Sequence, residues 1–355
     1  MKRPYHIVIG MDQLGWFEKF AQCIISHSQF AAGLTYEYVK MERHDWLENC
    51  LAADAVLWKP EYMGPQSAHY FKEKIYLLQC VAHKLVMPNF QTIWHFESKV
   101  AQHHLLCFHD LPRPATFVTF DHAEARMRLQ ESALPFVYKA SAGASSQNVR
   151  LIAKQRHGKR LLDDLFAIPR WEESKRRVKN TKLLFLQNIT NRWAWSRTWQ
   201  RLRRNPENVA VFYHQEFLAE NMRDLRITVI GDHVAYAFWR KNRKNDFRAS
   251  GSGLIDYESP VPGEIIKYCM SLNKMLQFDS MAYDLILKDE RYVITEISYG
   301  YKDHALYNAP GYYQLNPDGE LHFINQHIWP QQFWVDWLLK KLLQEPLSSG
   351  ATELP

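Results

Sequence analysis

A chain of 355 residues exceeds one ordinary core, so two or three domains are expected. Hydrophobic residues make up 46%, yet no apolar run approaches the roughly 18 residues that cross a bilayer, and the five scattered cysteines (Cys23, Cys50, Cys80, Cys107, Cys269) form neither a zinc nor a disulfide framework. The net charge of +6 is uneven: residues 151–204 hold 15 Lys/Arg against 4 Asp/Glu, which leaves the rest of the chain at −5.

Met1-Lys2-Arg3-Pro4 leads directly into a strand at 5–9 with no signal peptide, so a cytoplasmic protein with reduced thiols is expected. Further strands fall near 35–40 and 54–58. Between the first two, Trp16, Phe20, Cys23 and Ile24 recur at helical spacing. A helix over 67–82 puts Ala68, Phe71, Ile75 and Leu78 on one face. This alternation predicts a parallel sheet flanked by helices. Trp58-Lys59-Pro60 ends the third strand, where open α/β sheets place ligands.

Residues 97–106 read as a helix, and Pro112 and Pro114 interrupt the chain before a strand at 116–120. Strands at 136–140 and 149–152 flank the polar loop Ser141 to Ser146. The basic segment that follows reads as helical. It suits either a solvated helical face or an acidic substrate, and no nucleic-acid-binding motif accompanies it. Strands 225–230 and 233–240 meet at Gly231-Asp232 as a hairpin. A helix near 263–276 leads to strands 280–287 and 292–298. Trp334, Trp337, Leu338, Leu342 and Leu343 mark a last amphipathic helix before a polar tail from Pro346.

Asp284 and Glu296, twelve residues apart on adjacent strands, make a magnesium site, because Mg²⁺ takes hard oxygen ligands and shares them with a nucleotide's phosphates. Direct opposition requires an odd number of loop residues between the strands, and alternation then places Ser298 beside Glu296. Arg240 and Arg248 are the best anion clamps, since a planar guanidinium bridges two oxyanions. Arg248 precedes the Ser/Gly run Ser250 to Gly253, whose backbone N–H groups suit an anion. The tyrosines 299, 301, 307, 312 and 313 fit either core packing or a sugar or peptide site.

The order of several stretches resembles the ATP-grasp superfamily, and within it the RimK-type carboxylate–amine ligases. They are Pro88-Asn89, Ser98-Lys99, Leu111 to Thr116, Val137-Tyr138-Lys139, Gln215-Glu216-Phe217, Arg223 to Asp232, the run ending at Gly253, and the pair Asp284 and Glu296. The resemblance spans roughly residues 85–300. It implies an α/β fold, α+β in its catalytic part: a parallel-sheet domain over 1–95, a small ATP-grasp subdomain over 96–205 with a basic insertion from about 153, a large subdomain over 206–345, and a flexible tail. It implies ATP and Mg²⁺. Lys99 and Lys139 match the phosphate-binding lysines, and Gly143, Ser145 and Ser146 match the phosphate-covering loop. Gln215, Glu216 and Phe217 match the adenine hinge, Asp224 the ribose acid, and Arg226 a nucleotide-facing arginine. Ser250 to Gly253 match the site of the acyl phosphate or acceptor. The metal set becomes Asp284, Glu296 and Ser298, with serine where the family usually has asparagine.

The expected activity is amide formation through an acyl phosphate, on an acidic glycan or peptide carboxylate and an amine. No nucleic-acid partner is expected, and a homodimer is allowed. A phosphotransferase and a nucleotide-dependent binding protein are the alternatives. The layout also resembles ATP-grasp proteins of surface-polysaccharide modification.

Overall fold

The computed structural model describes residues 4–12, 14–26, 33–140, 149–166, 210–244 and 246–344. The chain divides into two compact units. Among the described residues, the larger holds those up to 113 and from 218 onward, and the smaller holds those between 114 and 217.

In the larger unit, β1 (Tyr5–Gly10), β2 (Leu34–Val39), β3 (Ala55–Trp58) and β4 (Leu85–Met87) form a parallel sheet in the order β2-β1-β3-β4. Ile7, Val8 and Ile9 are all fully buried, as a parallel sheet covered on both faces demands. The helix Trp16–Ser26 buries Trp16, Phe20, Ala21 and Ile24. The helix Pro65–Tyr76 buries the expected Ala68, Phe71 and Ile75, and a π turn, Leu77–Val81, extends the same face to Leu78.

The smaller unit is an antiparallel sheet of β5 (Thr116–Thr119), β6 (Phe136–Lys139), β7 (Val149–Ile152) and β8 (Phe212–Glu216), in the order β5-β8-β6-β7. Its core joins Phe136, Ile152 and Phe212 to Leu129 of the helix His122–Glu131 and Leu162 of the helix Gln155–Phe166. Asp121 starts the first of these helices by accepting the Glu124 N–H at 2.8 Å. The helical expectation for the basic segment is met as far as Phe166. Residues 167–209 lie outside the described residues.

The second sheet of the larger unit contains β9 (Arg223–Ile230), β10 (Val234–Lys241), β11 (Ile255–Asp256), β12 (Ser280–Lys288), β13 (Arg291–Ser298), β14 (Tyr312–Leu315) and β15 (Leu321–Ile324). Its order is β13-β12-β9-β10-β14-β15, with β11 also on β10. The predicted hairpin pairs Ile230 with Val234 across Gly231-Asp232-His233. Gly231 is required there twice over: its φ is +64°, and an added Cβ would lie 2.7 Å from the Trp337 ring. The helices Gly263–Met275 and Pro330–Gln344 bury Ile266, Met270, Trp334 and Leu338. Tyr299, Tyr301 and Tyr312 are buried core residues, and Tyr307 stacks on Trp329 at 4.0 Å, so the tyrosine cluster packs. Among the described residues no helix is long and apolar enough to cross a membrane.

Candidate active site

The hairpin β12–β13 sets the carboxylate pair. Its turn is Asp289-Glu290, with φ of 49° and 62°, between the paired Lys288 and Arg291. Left-handed φ at both central residues is the two-residue turn that matches strand twist. The loop is therefore even, not odd as the spacing predicted. In that register Asp284 would face Thr295, and Glu296 would point to the opposite face. A bulge corrects this: Leu285 pairs with Ile294 but Asp284 pairs with Glu296. Thr295 is the extra residue, and its hydroxyl donates to the Asp284 carbonyl at 3.0 Å. The bulge re-aims one side chain by one residue, and Ser298 then opposes Ala282 on the same face.

The neighbouring strands complete the face. Arg226 on β9 pairs with Asp284, and Asp224 pairs with Arg240 on β10. The Arg226 guanidinium forks onto the Asp284 carboxylate at 2.7 and 2.8 Å. Arg240 forks onto Asp224 at 2.7 and 2.6 Å and also reaches Asp284 Oδ2 at 2.7 Å. Lys99, the first residue of the helix Lys99–Phe108, forms an ion pair with Glu296. That helix is tied to β13 through the nearby Ile294 N–H, which donates to the Pro112 carbonyl at 2.8 Å. Three cations thus face three carboxylates, and the set is formally neutral.

Burial makes these charges strong. Asp284 is 3% exposed, and Arg240, Lys99 and Asp224 are all buried. Burial alone would raise the Asp284 carboxyl, but Arg226 and Arg240 together hold it well below the usual aspartate range. Asp224 is pushed up by burial and by the adjacent Asp284 charge, against the pull of Arg240. Of the two acids that share Arg240, Asp224 is the easier to protonate, because Asp284 also has Arg226.

The remaining predicted residues distribute as follows. Ser298 Oγ accepts the Gly300 N–H at 3.1 Å. Arg248 is forked onto Asp246, with Nη2 at 2.6 Å, and the Ser250 carbonyl accepts from Arg243 at 2.7 Å. In the smaller unit, Lys139 ends β6, buried, with its ammonium 5.9 Å from the centre of the Tyr213 ring. Gln215 donates to Thr116 Oγ1 at 3.0 Å. Glu216 closes a two-way contact with Ala115: its N–H donates to the Ala115 carbonyl at 2.8 Å, and its carboxylate accepts the Ala115 N–H at 3.1 Å. Phe217 is the last residue of that unit. Gly143, Ser145 and Ser146 lie outside the described residues. Lys99, Asp224, Arg226, Arg240, Asp284 and Glu296 therefore converge on one face of the larger unit.

The sequence reading placed Asp224 and Arg226 with the nucleotide and missed their pairing into the carboxylate cluster. Their i, i+2 spacing on a strand, which puts both on one face, was the available signal. Lys59 of the Trp58-Lys59-Pro60 strand end is buried, with its ammonium over the rings of Tyr299 (4.7 Å), Trp16 (5.0 Å) and Tyr301 (5.8 Å).

No known family profile matches the chain. It is 23% identical over 215 residues to the α-aminoadipate–LysW ligase LysX of Saccharolobus solfataricus. That match covers 60% of this chain and 65% of LysX. The fold is similar to that of the ATP-grasp ligase PsnB, solved with the precursor peptide PsnA2 and AMPPNP, with a TM-score of 0.52 and 15% identity over 96% of this chain and 99% of PsnB. It is also similar to the D-alanine–D-alanine ligase of Bacillus anthracis complexed with ATP, with a TM-score of 0.54 and 10% identity over 97% and 98% of the two chains.

Proposed function

We propose that the protein belongs to the ATP-grasp superfamily and is an ATP-dependent ligase that joins a carboxylate to an amine through an acyl phosphate. One observation carries the reading: four adjacent strands present Glu296, Asp284, Arg226 with Asp224, and Arg240 on a single face. Phosphoryl transfer needs positioning and charge neutralisation more than covalent help from the protein, and this face offers both signs of charge at close range.

The donor set suits magnesium. Mg²⁺ is usually held by one or two carboxylates and completed by phosphates and water. Asp284 and Glu296 are such a pair, and among the described residues no larger cluster of His, Cys, Asp or Glu exists. Asp284 and Glu296, with the Ser298 hydroxyl beside them, would hold the ion. When bound, it would neutralise phosphate charge and polarise the phosphoryl oxygens.

The chain's own groups do the rest. Lys99, Arg226 and Arg240 are engaged with carboxylates, so triphosphate oxygens would compete for these donors and release Asp284 and Glu296 as ligands. The substrate carboxylate attacks the γ-phosphorus, ADP leaves, and the amine then displaces phosphate from the acyl carbon with loss of a proton. Arg226 and Arg240 stabilise the oxygens that gain charge. Lys139 and the segment Gln215 to Phe217 serve the nucleotide.

A peptide or amino-acid carboxylate is the preferred acceptor over a uronic-acid glycan. Support comes from the relatives, an α-aminoadipate–LysW ligase and an ATP-grasp ligase solved with a precursor peptide. The test is ADP release from ATP across a carboxylate library, with and without amines, and mass analysis of the product. An amide with stoichiometric ADP and phosphate is expected. A stable phosphorylated product would replace the ligase by a phosphotransferase, and no ATP consumption with any acceptor would reject both.

A further inference from the structure

A cavity of about 340 Å³, within the size range of small-molecule sites, opens at the other end of the larger unit's second sheet. Its walls come from the π turn, the segment after β4, the β9–β10 turn and the helices Gly263–Met275 and Pro330–Gln344. Asp279 lies behind it, just before β12, and Asp284 stands five residues further on. That is about 17 Å at the rise of a strand, so the cavity is separate from the phosphoryl-transfer face.

Its floor is fixed by hydrogen bonds. Asp279 is fully buried, accepts the Asn89 N–H at 2.7 Å and the Trp337 indole N–H at 2.9 Å, and pairs with Lys341. Its own N–H donates to Thr92 Oγ1 at 2.8 Å. Asn89 Nδ2 donates to the Gln277 carbonyl at 2.7 Å, and Asn273 Nδ2 to the Gly231 and Phe278 carbonyls at 2.6 and 3.0 Å. Asn89 and Asn273 are thus engaged within the protein and set the shape, while Trp337 and Phe278 add apolar surface.

The other carboxamides of the lining have capacity to spare. Gln79 Nε2 donates to Gln91 Oε1 at 3.0 Å, which leaves the Gln91 amide nitrogen for a ligand. The Gln277 side chain makes no hydrogen bond among the described residues. Gln277 follows the C-cap Leu276 with a φ of 55°. Glycine is the usual residue there, because a Cβ is strained in the left-handed region. The chain therefore carries a carboxamide at a position where glycine would be less strained, and outliers of that kind point to function.

Charge does not select the ligand. Lys341 has Asp279, and Asp232 has His233 at 3.1 Å and Lys340 at 3.9 Å. Of the lining charges only Lys274 has no opposite partner among the described residues, and it is exposed to solvent. Carboxamides donate and accept, as hydroxyl groups do. A hydroxylated ring satisfies them, whereas an apolar ring would leave them unpaired.

We propose that this cavity binds a neutral, hydroxyl-rich ring, the chemistry of a hexose unit, at a site separate from phosphoryl transfer. The inference does not depend on the ligase reading.

The experiment is a ligand-detected NMR titration of the full chain with methyl β-D-glucoside, glucuronate, glucosamine and cyclohexanol. The glucoside should bind in the millimolar range, the two charged sugars no more tightly, and cyclohexanol at least about tenfold more weakly. Gln277→Gly removes the carboxamide and relieves the backbone, so it should keep or raise the Tm while weakening the glucoside at least about fivefold, the worth of one hydrogen bond. Gln91→Ala should weaken it in the same direction. Methyl β-cellobioside separates a glycan from a free sugar: tighter binding than the glucoside assigns a chain, and equal binding a single unit. Absence of glucoside binding, a tenfold preference for either charged sugar, cyclohexanol binding as well as the glucoside, or unchanged affinity in both variants would overturn the proposal. So would competition between the glucoside and AMPPNP, which would place the sugar on the phosphoryl-transfer face.

Discussion

Replacing Asp284 with asparagine keeps the shape of the side chain and removes the charge on which two guanidinium groups converge. Stranding the partner of a buried ion pair costs about 3–5 kcal/mol. Arg240 keeps Asp224, and Arg226 is only part-buried, so the lower end, about 3 kcal/mol, applies. For a unit of this size each kcal/mol moves the melting midpoint by about 2–4 °C, so Asp284→Asn should lower the Tm by about 6–12 °C at pH 7. Adding Arg226→Met removes the stranded cation and leaves two neutral pairs, Arg240 with Asp224 and Lys99 with Glu296, so the double variant should regain part of the loss, while ATP turnover stays abolished in both. The pH dependence has a definite sign. The folded Asp284 carboxyl lies below its unfolded value, so its contribution is complete above about pH 4 and is lost as pH falls below that. The difference between wild type and Asp284→Asn should therefore shrink in acid. Calorimetric scans of the four proteins of the cycle decide the matter. A single variant with an unchanged Tm, or a double variant that is simply the sum of its parts, would refute the paired cluster.

Three further outcomes follow from buried groups elsewhere. His95 is fully buried beside Phe278, and burial, aided by the Lys72 charge, pushes its imidazole down to about 3. Its folded value lies below the unfolded one, so stability is complete above about pH 6.5 and falls as pH drops, by about 2 kcal/mol at pH 5; His95→Phe should flatten that slope in unfolding titrations. Lys59 is pushed down to about 8 by burial, partly offset by Asp12, Glu61 and Asp303, so its unfavourable contribution is full below pH 8 and fades between about 8 and 10.5. Lys59→Met should therefore raise the Tm at pH 7, and an equal or lower Tm would mean that the three ring faces compensate its burial. Gly231→Ala combines a left-handed φ with an approach to Trp337 and should cost at least about 1–3 kcal/mol, read as a lower Tm with no change in the smaller unit's hydrogen exchange.

Periodicity alone was enough for β1, β2 and β3 of the parallel sheet and for the helices that follow β1 and β3, whereas the three-residue β4 and the short helix Trp46–Ala52 went unread. Continuous apolar runs such as Ile7-Val8-Ile9 and the 3.6-residue recurrence of Ala68, Phe71, Ile75 and Leu78 are local patterns that burial then satisfies. The ATP-grasp resemblance was legible for a related reason: its stretches lie in fixed order along the chain. Less could be read where local pattern is weak. The helix His122–Glu131 buries only Ala125 and Leu129, and the short strands β14 and β15 exist through pairing with β10 and with each other. Of the polar residues chosen from sequence, six meet on one face, but their partners were not foreseeable. A spacing of twelve is compatible with either face of a hairpin, and the extra residue Thr295 selects which side Glu296 takes. Asp224 and Arg226 lie two apart on one strand, while the arginine that holds Asp224 and the aspartate that holds Arg226 come from two other strands. The sequence by itself determined which residue types alternate, and therefore which segments become strands and helices. Only the tertiary structure decided register and charge pairing, because a one-residue shift reverses a side chain's face while leaving every local preference unchanged.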